Sequence, residues 1–194
     1  MSPTEIEELE DTYLDKSSPA AQLRAAEGLL ALAKDQPQAL AVLLNLFSSQ
    51  TADNQAILLD RFVAFVPEMS NLLSDFSDWD ALLLSSAVLD VLGKLGEKAQ
   101  AAVPALIEHC QVAPRDEINV VALGRVGGLD AVRHLIGWTW FQTFETHDRK
   151  RTDAAHDALQ EMGQRAVPDL LTLTRDTDPF VRATALLILQ DPIG

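Results

Sequence analysis

A pattern that repeats at the length of a helical hairpin constrains this chain more than any other feature. Leu92-Gly93-Lys94-Leu95-Gly96 returns 31 residues later as Leu123-Gly124-Arg125-Val126-Gly127, and more loosely as Leu159-Gln160-Glu161-Met162-Gly163. A similar apolar block follows each copy: Ala102-Val103-Pro104-Ala105-Leu106-Ile107, Ala131-Val132-Arg133-His134-Leu135-Ile136 and Ala166-Val167-Pro168-Asp169-Leu170-Leu171. Fainter copies begin at Gln36-Pro37 and Val66-Pro67. The corresponding positions 37, 67, 104, 133 and 168 lie 30, 37, 29 and 35 residues apart, a hairpin period with loop insertions.

Within a block the apolar residues fall at i, i+3, i+4 and i+7, as in Val103, Leu106, Ile107 and Cys110, which makes one buried helix face. Pro37, Pro67, Pro104 and Pro168 read as helix starts, because proline's fixed φ suits the first turn and its missing N–H has no intrahelical partner there to lose. Gly96, Gly127 and Gly163 read as helix ends that need a left-handed residue. The spacing predicts an N-terminal helix over 3–14 with Ile6, Leu9 and Tyr13 inward. First helices follow near 19–33, 53–65, 79–94, 116–126 and 152–162. Their partners lie near 37–48, 67–76, 101–112, 129–141 and 166–175, and a last helix spans 179–190 with Asp178 as N-cap. Alternating β-branched segments are lacking, so no sheet is expected.

The segment Asp176-Thr177-Asp178-Pro179-Phe180-Val181-Arg182-Ala183-Thr184-Ala185 resembles the first helix of a HEAT repeat, with its D-x-x-V-R-x-x-A pattern. Together with the glycine and A-V-P blocks, the chain is similar to short bacterial HEAT-repeat proteins of the kind named after bilin lyases, over about residues 18 to 190. The resemblance implies a single all-α domain over 1–194: a right-handed α-solenoid of about five hairpins, with residues 1–17 as an acidic N-terminal cap and 18–190 as repeats. The sequence departs from the family pattern at Arg133, where proline is usual, and in an insertion over 141–151.

Charge limits what such a chain can meet. Fifteen Lys and Arg against 29 Asp and Glu give a net charge of -14, which disfavours nucleic acid and anionic membranes and favours cationic partners. Residues 1–90 hold 15 acids and 4 bases, residues 91–194 hold 14 acids and 11 bases, so the net charges are -11 and -3. The apolar runs are interrupted by polar residues, so no membrane span is expected. The first fifteen residues carry six acids and no base, which with a single cysteine predicts a reducing cytoplasm.

Counting each second helix from 36, 66, 103, 132 and 167, offsets 2, 5 and 9 lie opposite the core. They hold Gln38, Ala41 and Asn45; Glu68, Asn71 and Asp75; Ala105, Glu108 and Val112; His134, Gly137 and Phe141; Asp169, Thr172 and Asp176. This stripe carries five acids and no Lys or Arg. HEAT-type second helices line the concave face, so the resemblance implies an acidic groove, with Trp138 at its edge as the candidate aromatic anchor. The predicted partner surface is therefore Glu68, Asn71, Asp75, Glu108, His134, Trp138, Phe141, Asp169, Thr172 and Asp176.

Catalytic and metal signatures are sparse. His109, His134, His147 and His156 form no H-E-x-x-H pair or zinc spacing, and the loose group His147, Asp148, Asp153, His156 and Asp157 has no recognised spacing. Gly93 to Lys98 ends a helix and lacks the G-K-[ST] of a phosphate loop. Cys110 falls at a core offset, and Arg149-Lys150-Arg151 reads as a solvated loop tip. The expected role is a non-catalytic module without cofactor or metal that binds a basic protein, with an immunity or antitoxin-type inhibitor as its concrete form. A bilin lyase or isomerase subunit, implied by the resemblance, and a structural scaffold or assembly factor are the alternatives.

Overall fold

The computed structural model describes residues 3–15, 18–73, 79–112, 117–140 and 149–190. Among the described residues twelve α-helices run in order: α1 Pro3–Leu14, α2 Pro19–Ala33, α3 Pro37–Phe47, α4 Ala52–Phe62, α5 Val66–Leu72, α6 Trp79–Leu95, α7 Val103–Val112, α8 Glu117–Val126, α9 Leu129–Trp140, α10 Arg149–Met162, α11 Val167–Leu173 and α12 Pro179–Gln190. No strand occurs among the described residues. Side-chain caps set several starts. Ser18 accepts the Ala21 N–H at 3.3 Å, Thr51 that of Asn54 at 3.3 Å, and Asp178 that of Phe180 at 2.9 Å, each satisfying a donor the first turn leaves open.

Short 3-10 turns over 63–65, 96–102 and 163–166 join first helices to second ones. Gly96 (φ 57°) and Gly163 (φ 51°) open two of them in the left-handed region, and Gly127 (φ 71°) with Gly128 (φ 95°) makes the sharper α8–α9 turn. This double glycine explains Arg133. Helices α5, α7 and α11 start at valine with proline second, but α9 starts at Leu129, directly after Gly128. Residue 133 is thus the fifth of its helix, where proline would remove a hydrogen bond and clash. Arg149-Lys150-Arg151, expected at a loop tip inside the 141–151 insertion, is instead the first turn of α10.

The first helices α6, α8 and α10 pack one on the next, and the second helices α5, α7, α9 and α11 do the same. The earlier glycine of the repeated motif sits at these contacts, and the close approach of α8 to α10 depends on it at Gly124. A Cβ at Gly93 would lie 3.5 Å from the Ala122 Cα, and one at Gly124 would lie 2.7 Å from the Ala158 Cβ. The third copy has Gln160 at this position, exposed, with no first helix packed beyond it, because α12 turns aside to lie on α9 and α11.

The N-terminal part is less regular. Helix α1 covers α2 and α3 through Ile6, Leu9 and buried Tyr13, and α3 packs directly on α6 while α4 leans aside. Gln55 of α4 donates to the carbonyls of Phe47, Ser48 and Gln50, closing the open C-terminal end of α3. Phe47 and Phe62 meet edge to face at 5.5 Å, with the Lys94 ammonium 5.1 Å above the Phe47 ring. One apolar core runs from Leu29 and Leu40 through Leu92 and Leu123 to Leu170, and each fully buried leucine contributes about 2 kcal/mol. Cys110 is buried in its helix. Among the described residues no helix is long and apolar enough to cross a membrane.

Candidate protein-binding face

The candidate residues sit on second helices that touch in series, Glu68 and Asn71 on α5, Glu108 on α7, His134 and Trp138 on α9, Asp169 and Thr172 on α11. Helical phase keeps their outer sides open, because Leu106 and Cys110, or Val132, Leu135 and Ile136, turn the opposite sides inward. Asn71, Glu108 and Thr172 are exposed, and Glu68, His134, Trp138, Asp169 and Asp176 are partly covered. Asp75 and Phe141 lie outside the described residues. The phase slips once, on the seven-residue α11. Leu171, placed in the core by its offset, is 57% exposed, while Leu170 and Leu173 face inward.

Two aromatic rings mark the middle of this side. His134 and Trp138, one helical turn apart, meet edge to face at 5.2 Å, and Trp138 also packs on the core. The Trp138 carbonyl accepts the Thr152 hydroxyl at 3.3 Å, which ties the end of α9 to α10.

Asp176 differs from the other acids. Arg133 grips it with Nε to Oδ2 at 2.8 Å and Nη2 to Oδ1 at 3.3 Å, and the Asp178 N–H donates to it at 2.8 Å. These bonds lower the Asp176 carboxyl to about 2. Asp176 therefore joins α9 to the approach of α12 and is already neutralised. Sequence phase missed this pairing, since Arg133 and Asp176 are 43 residues apart.

The remaining ion pairs among the described residues lie elsewhere. Among the described residues, Glu27–Arg61, Asp90–Lys94, Asp60–Lys98, Glu161–Arg125 and Glu97–Arg165 join first helices and the turns that follow them. The Glu97–Arg165 pair, at 3.9 Å, joins the turn after α6 to the turn after α10. By contrast, Glu68, Glu108 and Asp169 form no ion pair or hydrogen bond among the described residues. One Glu68 carboxylate oxygen, Oε2, is buried without a partner, and burial raises the Asp169 carboxyl above its ordinary range. Carboxylates that lose water without gaining a donor are poised to accept one from outside.

A cleft of about 650 Å³ opens between α3 and α6, lined by Leu44, Asn45, Ser48, Ser86, Ala87, Asp90 and Lys94. Lys94 spends its charge on Asp90 at 2.6 Å and on the Phe47 ring. Among the described residues no three His, Cys, Asp or Glu side chains gather as a metal ion requires. No protein-family model matches the chain, and no curated protein matches it in sequence.

Proposed function

We propose that the chain is a HEAT-like, right-handed α-solenoid that works as a non-catalytic protein-binding module, its second helices presenting an acidic face to a basic protein. The hairpin period, the ordered contacts of first with first and second with second helices, and the paired glycine roles support the solenoid. One observation carries the function: Glu68 and Asp169 on the second helices are partly covered carboxylates that no base meets among the described residues, with Glu68 Oε2 buried and burial raising the Asp169 carboxyl, and the exposed Glu108 lies on α7 in the same series of helices. The field of a -14 chain draws a cation in, and three unmatched carboxylates around His134 and Trp138 give it a place to dock.

The concrete form of this reading is an immunity or antitoxin-type inhibitor that covers the cationic surface of a toxin. Affinity capture at low and high salt tests the general claim. The immobilised chain retains a basic protein at low salt and releases it at high salt, and the triple variant Glu68→Lys, Glu108→Lys, Asp169→Lys binds it at least about tenfold more weakly. Equal retention by the variant refutes the acidic face. Co-expression with the captured protein tests the inhibitor form, which requires that the chain relieve its toxicity.

A further inference from the structure

Helix α1 docks on the stack through few side chains. Among its described residues Ile6 and Leu9 are partly buried against the core, and Tyr13 alone is fully buried. Tyr13, the one tyrosine of the chain, buries its hydroxyl with no hydrogen-bond partner among the described residues. An unpartnered polar group inside a core costs about tenfold or more in the equilibrium that buries it, which offsets most of what the ring gains there. A polar tie joins the same residue to α2: Gln22 Nε2 donates to the Tyr13 carbonyl at 2.9 Å, and water takes over both groups when the helices part. Charge works against docking as well. Glu5, Glu7, Glu8, Glu10 and Asp11 fall within seven residues and form no ion pair among the described residues. Glu7 lies one turn from Glu10 and Asp11, and Glu8 one turn from Asp11, so like charges repel along the helix, and the last turn has no base to meet the negative end of its dipole. Residues 16–90, which include the helices beneath, hold nine acids against four bases, a net charge of -5, so acid is laid on acid.

We infer that α1 is a strap that ionic strength closes: it leaves α2 and α3 as a unit while the helices from α2 onward stay packed, and dissolved salt, by screening its acids, brings it back. Helices α2 and α3 pack on each other and α3 packs on α6, so they keep a core when α1 departs. Opening uncovers the side of α2 at Gln22 and Gly28, where Leu9 lies so close that a Cβ on Gly28 would come within 3.0 Å of its Cδ2. The N-terminal end of the stack thereby presents one surface in dilute solution and another at high salt. A fixed acidic cap has no such second state.

This inference does not rest on the acidic face of α5 to α11, and its test needs no partner. Amide hydrogen exchange of the whole chain, read by mass spectrometry at low and high salt, separates a strap from a fixed cap. The expected result is that the α1 amides exchange together, at least about a hundredfold faster than the central amides of α2 and α3, and slow at least about fivefold when salt rises from roughly 20 to 500 mM. Two variants act in the closing direction and leave exchange in α2 and α3 unchanged. Tyr13→Phe removes the unpartnered hydroxyl and slows α1 exchange about tenfold, and the triple variant Glu7→Gln, Glu8→Gln, Asp11→Asn slows it and removes most of its salt dependence. The single tyrosine supplies an independent reading. Burial holds the docked phenol above its ordinary value near 10, so after a jump to about pH 11 phenolate absorbance grows as the strap opens and before the helical signal of the stack is lost. Exchange in α1 no faster than in α2 and α3, an α1 rate indifferent to salt, or a Tyr13→Phe variant that opens faster overturns the inference. So does phenolate that forms only as the whole chain unfolds.

Discussion

At the scale of single residues, two glycines with the same place in the repeat behave differently. A Cβ at residue 124 would press within 2.7 Å of the Ala158 Cβ, fixed on a neighbouring helix, whereas one at residue 93 would meet Ala122 at an ordinary 3.5 Å. Gly124→Ala therefore destabilises the protein by about 1–2 kcal/mol, the cost of overpacking less the gain in helix propensity. Gly93→Ala is neutral or stabilising by up to about 1 kcal/mol, and urea unfolding midpoints distinguish the two. Asp176 supplies a pH test. Its folded-state value of about 2 lies below the ordinary carboxylate value near 4, so its contribution is complete above about pH 4 and fades as the pH falls toward 2. Asp176→Asn lowers stability at pH 7 by about 1 kcal/mol and makes the acid limb of the stability curve shallower. Gly96, Gly127 and Gly163 were legible in the sequence as turn residues. The role of Gly124 inside α8, letting two helices touch, was not, because a close contact between chain segments leaves no mark in local periodicity.

At the scale of elements, helix ends were the most legible feature, since caps and prolines act within a few residues. The last helix begins and ends as its sequence indicates, with Asp178 capping it. Asp178→Ala should cost about 1 kcal/mol. Residue 133 shows where alignment by apolar block fails: the block matches, but the Gly127-Gly128 turn starts α9 at Leu129 and places 133 in the helix interior. Arg133→Pro is therefore expected to cost about 3 kcal/mol or more, whereas Pro168→Ala, at the second residue of α11, changes stability by less than about 1 kcal/mol. Thermal midpoints of the two variants give the comparison. The exposed Leu171 marks a limit of phase arguments, since a seven-residue helix is too short for its apolar pattern to fix a buried side.

At the scale of the whole molecule, the order of the hairpins was legible because each apolar face needs a neighbour, and the nearest in sequence is usually the nearest in space. The direct packing of α3 on α6 was not legible, because it joins helices that are not consecutive in the chain while α4 and α5 lie between them in sequence. The candidate face was legible as to its residues but not as to its state. The sequence places five acids in one stripe, and only the folded chain distinguishes Asp176, held by Arg133, from Glu68, Glu108 and Asp169, which no base meets among the described residues. Net charge by itself would attract a cation to any acidic surface, so the account stands on position rather than on charge. The most direct test compares two variants of equal net charge for binding to the captured basic protein. One reverses Glu68, Glu108 and Asp169 to lysine, and the other reverses the exposed Glu7, Glu8 and Asp11 of α1. The account predicts that the first loses at least about tenfold in affinity while the second stays within about twofold of the unaltered chain. Equal losses in both variants would contradict it.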